Sequence, residues 1–100
     1  MADAAPRTRA LINAESRPVM PAHIKLRHDV GRGRWLILAP ERVFDPDEIA
    51  VEVLKLCDGK RTVADIASTL AKEYNAPLEE ISADIVAMLQ DLADKGVVKA

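Results

Sequence analysis

The sequence predicts an α+β domain in which a three-stranded antiparallel sheet is followed by a three-helix bundle. Two observations carry this prediction. Residues 23–44 show short extended patterns separated by turn residues, and residues 45–95 show apolar residues at helical spacing between start and stop signals. When strands and helices follow one another in separate blocks, the helices cover one face of the sheet.

Length and composition limit the chain to one domain with an aliphatic core. It has 100 residues, a formal net charge of −2, and only one Trp, one Tyr and one Phe. Its single cysteine, Cys57, excludes an internal disulfide and is predicted to be a buried, unreactive thiol. The longest uncharged apolar run, residues 35–39, is too short to cross a membrane, and no signal sequence opens the chain. We therefore expect a cytoplasmic protein.

Residues 1–21 are predicted to be a disordered arm or linker that precedes a folded domain over residues 22–100. They contain three prolines and three arginines but few bulky apolar residues, among them the adjacent pair Leu11-Ile12. Such a segment buries too little apolar surface to offset the entropy lost on ordering. A short docking element centred on Leu11-Ile12 is the alternative interpretation.

Three short strands are predicted next. Every second residue from Ile24 to Val30 is apolar or histidine, which is typical of a half-buried strand. A turn at residues 31–33 leads into residues 34–39, RWLILA, a strand that is apolar on both faces. Residues 41–44 form the third strand. Because so small a sheet cannot close on itself, at least one of its edges stays open.

The first helix is predicted to begin at Asp45 and to end at Asp58-Gly59. Asp45 can accept hydrogen bonds from the free amides of the first turn, and Pro46 sits where a missing N–H has no cost. Glu48 completes a capping box. Glycine ends the helix because it adopts the left-handed conformation without steric penalty.

Two further amphipathic helices follow. Thr62 caps the second and forms a capping box with Asp65, and Asn75 ends it in the left-handed conformation. The third begins at Pro77 and ends at Gly96, before a short extended tail. The predicted buried face of the second helix comprises Val63, Ile66, Ala67, Leu70 and Tyr74. The apolar stripe of the third comprises Leu78, Ile81, Ile85, Met88, Leu89 and Leu92.

The residues that metal binding or catalysis needs are scarce. Zinc takes about four ligands, but the two histidines, His23 and His28, point to opposite faces of a strand and do not cluster with Cys57. No serine lies in a nucleophile turn. The Gly31-Arg32-Gly33 segment precedes a strand, whereas a dinucleotide motif requires a helix there. We expect no catalytic residue, no metal and no cofactor.

DNA binding is the alternative function, because the second and third helices with the tail resemble a winged helix. Charge opposes this alternative. Residues 63–95 contain seven acidic and two basic side chains, whereas residues 1–44 contain four acidic and eight basic ones. A recognition helix of that sign would repel the phosphates whose neutralisation supplies most of the affinity.

Several motifs resemble the pyrroloquinoline quinone (PQQ) biosynthesis protein D family, PqqD. They are Lys25-Leu26-Arg27-His28-Asp29, Ala39-Pro40-Glu41-Arg42, Leu56-Cys57-Asp58-Gly59, Arg61-Thr62-Val63, Tyr74, Asp84, and residues 89–96. The resemblance covers about residues 21–99. The chain departs from the family at His28, where an aromatic residue such as Phe is expected, and at Asp47-Glu48, where a more neutral pair is usual.

The resemblance implies a non-catalytic peptide chaperone with a winged-helix-like fold, of the type called a RiPP recognition element. Members of the family bind the ribosomally made precursor peptide PqqA and present it to the radical SAM enzyme PqqE, which joins a Glu and a Tyr of that peptide. In some bacteria the module is fused behind the oxidase PqqC, and residues 1–21 are similar to what such a linker would leave. Neither nucleic acid nor a membrane is expected as a partner.

An open sheet edge provides a binding mode for such a peptide, because an extended chain can add there as a further strand. In related recognition elements the groove lies between the third strand and the third helix. The residues expected to supply main-chain hydrogen bonds are Glu41, Arg42, Val43 and Phe44. Those expected to line the pocket are Ile85, Met88 and Leu89. We also expect Arg42 to contact a charge of an acidic precursor.

Overall fold

The computed structural model describes residues 11–100. Three strands, β1 (Lys25–Asp29), β2 (Arg34–Ala39) and β3 (Arg42–Phe44), precede three helices, α1 (Glu48–Lys55), α2 (Val63–Tyr74) and α3 (Leu78–Asp94). The strands form one antiparallel sheet in the order β1-β2-β3. The predicted α+β architecture is confirmed. Within the described residues, no helix combines the length and apolar character needed to span a bilayer.

The register of the sheet assigns its side chains to two faces. Ile37 of β2 pairs with Leu26 of β1 and with Phe44 of β3, and its side chain is fully buried, so this inner face packs on the helices. Because successive side chains of a strand point to opposite faces, Leu36 and Leu38 lie on the outer face. β2 is therefore apolar on both faces, as its sequence indicates.

The core is aliphatic and is supplied mainly by the helices. Its most deeply buried side chains are Ile37, Val53, Leu54, Val63, Ile66, Leu70, Ile85, Leu89 and Val97. Tyr74 does not belong to this set, because it is 42% exposed. The prediction that it lies on the buried face of α2 is wrong: Tyr74 is the last residue of the helix, where the chain leaves the core to turn toward α3.

α1 begins two residues later than predicted. Its N-cap is Asp47, whose Oδ1 accepts a hydrogen bond from the Ala50 amide at 2.8 Å. Asp45, the predicted cap, instead forms an ion pair with Arg34 at 2.9 Å. Pro46 consequently precedes the cap and is not part of the first turn. Two acidic residues on either side of a proline can both cap a helix, and tertiary pairing with β2 selects between them.

α1 also ends earlier than the predicted stop at Asp58-Gly59. Its C-cap is Leu56. Asp58 forms a turn of its own, since its Oδ1 accepts from the amides of Lys60 and Arg61 at 2.9 and 2.8 Å. These hydrogen bonds, together with the nearby Arg61 guanidinium, lower the pKa of the Asp58 carboxyl group. The glycine that follows has a φ of 79° and therefore belongs to this turn.

The signals at both ends of α2 are confirmed. Thr62 Oγ1 accepts from the Asp65 amide at 3.1 Å, and Asp65 Oδ2 accepts from the Thr62 amide at 3.0 Å. The hydrogen bonds from Thr62 lower the pKa of the Asp65 carboxyl group. At the other end, Asn75 adopts the left-handed conformation with a φ of 51°.

We expect Thr62→Ala to lower the free energy of unfolding by about 1 kcal/mol, because it removes the side-chain acceptor of the capping box. Thr69→Ala is the matched control. The Thr69 hydroxyl donates to the Asp65 carbonyl within the helix at 3.0 Å, so its loss leaves the cap intact and replaces threonine by a better helix former. Urea unfolding measures both variants. Equal stabilities for the two would contradict the role assigned to the cap.

The structure differs from the predicted disordered arm over residues 11–20, while residues 1–10 lie outside the described residues. Ile12 and Pro18 are buried. Val19 exchanges two backbone hydrogen bonds with Lys99 near the C-terminus, at 2.8 and 2.9 Å. The arm and the tail thus form a short antiparallel bridge.

The same arm supplies hydrogen-bond partners to α2. The Ser16 carbonyl accepts from the Val63 amide at 2.9 Å, and the Ala14 carbonyl accepts from the Ala64 amide at 3.0 Å. The first amides of a helix have no partner within the helix, so the arm satisfies two groups that the capping box leaves free. The composition of the arm did not reveal this role, because it depends on backbone carbonyls and not on apolar side chains.

Candidate peptide-binding groove

β3 is an edge strand with one side open. It pairs with β2 on one side, and no strand among residues 11–100 pairs with the other. Ala39 and Arg42 are partners across a two-residue turn, and the pair that closes so short a hairpin is a hydrogen-bonded pair. In an antiparallel ladder such pairs alternate with pairs that are not hydrogen-bonded. The amide and carbonyl of Val43 are therefore directed away from β2, toward the open side.

A cavity of about 250 Å³ lies between β3, the start of α1 and the C-terminal half of α3. Phe44, Ile37 and Ala50 form its apolar floor, and Met88 and Leu92 of α3 form its wall. We call this cavity, together with the open side of β3, the groove. The groove can thus offer main-chain hydrogen bonds along one side and apolar contacts beside them.

Several predicted site residues meet at the groove. Phe44 and Met88 line it, and Val43 carries the free backbone groups of the edge. The Arg42 guanidinium lies 4.6 Å from the centre of the Phe44 ring, within range of a cation–π interaction. Arg42 is therefore held against the aromatic residue that forms part of the floor.

Other predicted site residues lie outside the groove. Ile85 and Leu89 are 1% and 0% exposed, so they belong to the core and do not line a binding surface. Glu41 lies in the turn that precedes β3 and is not part of the strand. The assignment of Ile85 and Leu89 to the pocket fails for a physical reason. The centre of the α3 stripe is buried in the core, and the groove is lined by the edge of the stripe that begins at Met88.

The sequence interpretation missed the residues that continue this edge along α3. Asp91, Leu92 and Lys95 also line the groove, and they follow Met88 at spacings of three, four and seven residues. Such residues share one side of a helix, so the spacing would have identified them once Met88 was chosen. The floor residues Ile37 and Ala50 carry no such signal, because they come from separate elements.

Most charged side chains at the rim of the groove have an ion-pair or hydrogen-bond partner within the protein. Lys95 Nζ lies 2.9 Å from Asp91 Oδ2, Asp45 pairs with Arg34, and Asp47 caps α1. Arg42 has no carboxylate partner among residues 11–100. A ligand carboxylate that enters the groove would therefore meet the Arg42 guanidinium as the available positive charge.

Comparison with protein-family models matches residues 34–98 to the family described as coenzyme PQQ synthesis protein D (PqqD). The matched residues include β2, β3 and all three helices. The chain belongs to the PqqD family. This membership confirms the resemblance drawn from the sequence motifs.

Curated relatives support the membership across most of the chain. A protein of Rhodopseudomonas palustris (strain HaA2), named PqqA binding protein, is 62% identical over 85 residues, which are 85% of this chain and 83% of the relative. A protein of Xanthomonas oryzae pathovar oryzae with the same name is 40% identical over 88 residues, 88% of this chain and 96% of the relative.

Two solved PqqD structures share the fold. One is the solution structure of the PqqD truncation of Methylobacterium extorquens PqqCD, described as a functional and stand-alone RiPP recognition element. It has a TM-score of 0.80 and 42% identity, and the match covers 92% of this chain and 98% of that one. The crystal structure of PqqD from Xanthomonas campestris has a TM-score of 0.58 and 38% identity, with 89% and 99% covered.

The Leu-Cys-Asp-Gly motif that suggested the PqqD family contains the single cysteine. Cys57 is buried, as predicted, and its thiol donates to the Val53 carbonyl with the two atoms 3.2 Å apart. Burial raises the pKa of the Cys57 thiol to about 12. Because the thiolate is the reactive form, this thiol is unreactive in the folded protein, and Cys57 does not line the groove.

We expect Cys57 to resist iodoacetamide at about pH 8 in the folded protein, since the thiolate is scarcely populated when the pKa lies so far above the solution pH. The same protein in concentrated urea should be alkylated completely. Mass spectrometry counts the adduct in each sample. Equal alkylation with and without urea would contradict the burial of this side chain.

Proposed function

We propose that the protein is a peptide chaperone of PQQ biosynthesis that binds the precursor peptide PqqA as an added strand at the open side of β3. The register of β3 carries the proposal: it directs the backbone amide and carbonyl of Val43 to the open side of the strand, and the next residue, Phe44, lines the cavity. Relatives that are up to 62% identical and are named PqqA binding proteins support the choice of peptide.

Strand addition divides the contacts of the peptide into two kinds. The backbone of the peptide bonds to the amide and carbonyl of Val43, which gives affinity with little dependence on sequence. Every second side chain of the peptide points inward, into the cavity between Phe44 and Met88. Because Phe44 and Met88 are apolar and Arg42 lies against Phe44, this part of the groove favours an apolar side chain with an acidic residue nearby.

The protein holds the peptide and performs no chemistry on it. In this scheme the extended PqqA is delivered to the radical SAM enzyme PqqE, which joins its Glu and Tyr. Ordering the peptide beforehand removes part of the entropy cost that PqqE would otherwise meet on binding a flexible substrate. The Methylobacterium extorquens relative, in which PqqD forms part of PqqCD, supports an association with PqqC as well.

A charge placed inside the groove tests the proposal. We expect Met88→Glu to weaken PqqA binding by at least about tenfold, because a carboxylate would lose hydration against the apolar lining and repel an acidic peptide. Ala87→Glu is the matched control, since Ala87 is the exposed neighbour on the same helix and does not line the groove. Isothermal titration calorimetry gives the affinities, and circular dichroism verifies the fold.

Two outcomes distinguish an error in the proposed function from an error in the proposed binding site. If wild-type protein does not bind PqqA, the proposed function is wrong. If wild-type protein binds and both variants bind equally well, the peptide lies elsewhere and the groove is wrong.

The charge of α3, the helix that would contact the DNA duplex, opposes the DNA-binding alternative. The exposed acidic residues of α3 are Glu79, Glu80, Asp84, Asp91 and Asp94. Their charge would repel phosphates along the length of this helix. Failure to retard duplex DNA in a gel at low salt would eliminate the alternative.

A further inference from the structure

The outer face of the sheet is a second surface that the groove does not use. The register places Lys25, Leu38 and Val43 in one row across the three strands, and Arg27 beside Leu36 in the next. These five residues define what we call the outer sheet face. The helices pack on the opposite face, where Ile37 is buried.

The centre of the outer sheet face is apolar and accessible. A shallow cavity of about 460 Å³ lies over Leu36 and Leu38 and extends to the β1–β2 turn. Val43 is 62% exposed at one end of the face, and Val30, in that turn, is 84% exposed at the other. Contiguous apolar residues that are surrounded by polar ones mark interaction surfaces on soluble proteins.

The rim of the outer sheet face is positively charged. Lys25 and Arg27 form no ion pair with any residue of the described chain, although the protein as a whole has a net charge of −2. Asp29, the nearest acid of β1, is paired with Arg32 at 3.5 Å. Two copies of the protein placed face to face would bring Lys25 and Arg27 of each against those of the other, which electrostatic repulsion opposes. A partner with acidic residues around an apolar centre complements this surface.

We propose that the outer sheet face docks an acidic surface, apolar at its centre, of the enzyme that modifies the bound peptide. This inference rests on the proposed function, because a strand added at β3 continues the sheet. The side chains of the peptide that do not enter the groove then lie on the same face as Val43 and Leu38. An enzyme docked on the outer sheet face meets those side chains directly, so one surface positions the enzyme over the substrate.

Charge reversal tests the proposal with PqqE and PqqA as separate probes. The test variant is Lys25→Glu/Arg27→Glu. The matched control is Lys60→Glu/Lys72→Glu, which changes the net charge equally at exposed residues outside the sheet. Fluorescence anisotropy measures the affinity of each protein for PqqE and for PqqA at low and high salt, after circular dichroism has verified the fold.

We expect the test variant to bind PqqE at least about tenfold more weakly than wild type at low salt, with a smaller difference at high salt. The control should bind PqqE within about twofold of wild type, and PqqA affinity should stay within about twofold in every variant. Unchanged PqqE binding by the test variant would overturn the proposal. So would an equal loss of PqqA binding, since the face would then belong to the peptide site.

Three further outcomes are also decisive. If wild-type protein binds PqqA but not PqqE, the docking surface is wrong while PqqA binding stands. If the wild type retards duplex DNA and the test variant does not, the occupant is nucleic acid and the proposal is overturned. Failure of the wild type to bind PqqA contradicts the proposed function itself.

Discussion

Val43→Pro is expected to weaken PqqA binding by at least about thirtyfold, or ~2 kcal/mol, while the protein stays folded. The substitution removes an amide that β2 does not use and that the added strand requires, so a carbonyl of the peptide would be left without a donor. The pyrrolidine ring would also occupy space at the open side of β3. Both effects weaken binding of the peptide, and neither disturbs the pairing of β3 with β2.

The fold should tolerate this proline because of its position. Proline is accepted in edge strands where the lost N–H faces away from the sheet. It favours an extended conformation in the preceding residue, and Arg42 is already extended as the first residue of β3. Val43→Ala is the matched control, since it shortens the same exposed side chain but keeps the amide. Equal PqqA affinity for the proline and alanine variants, measured by calorimetry on folded protein, would rule out strand addition at this edge.

Removing the arm should have the second large effect. We expect a chain that begins at residue 21 to be less stable than one that begins at residue 11 by about 3 kcal/mol or more, a loss that emptying a buried aliphatic site can cause by itself. Removal opens the site that buries Ile12, and it leaves the Val63 and Ala64 amides and the Lys99 backbone without their partners in the arm.

The comparison isolates the contacts of residues 11–20, because both chains lack residues 1–10. Urea unfolding of the two truncated proteins gives the difference in free energy. Indistinguishable midpoints and slopes would show that these contacts contribute nothing and that the segment is a linker after all.

Local signals made much of the fold predictable. The capping box at Thr62 and Asp65 and the left-handed stop at Asn75 lie within a few residues of the helix ends that they define. The prediction that β2 is apolar on both faces is also confirmed, since Ile37 faces the helices and Leu36 and Leu38 lie on the outer face. Where two local signals competed, as for Asp45 and Asp47, the sequence could not decide between them. In the structure Asp47 caps α1, and Asp45 forms an ion pair with Arg34.

The arm escaped prediction because its order depends on distant partners. Ile12 donates its amide to Gln90 of α3, and the carbonyls of Ala14 and Ser16 accept from α2. None of these contacts leaves a periodic pattern in the arm. A segment with few apolar side chains can still be fixed when its backbone completes the hydrogen bonding of a helix.

The groove was only partly predictable. A small sheet must have an open edge, which indicated β3, and the proximity of Phe44 and Met88 followed from the likeness to related recognition elements. The helical stripe of α3 does not reveal which of its edges faces the sheet. Ile85 and Leu89, at its centre, were therefore indistinguishable from Met88 until the packing was known.

A titration of the isotope-labelled protein with PqqA, followed by amide chemical shifts, tests strand addition most directly. We expect the largest changes at Val43, Phe44 and the groove side of α3 near Met88 and Lys95. We also expect strong protection of the Val43 amide from hydrogen exchange once the peptide is bound. Changes concentrated on α2 or on the arm, with the Val43 amide still exchanging freely in the complex, would contradict strand addition.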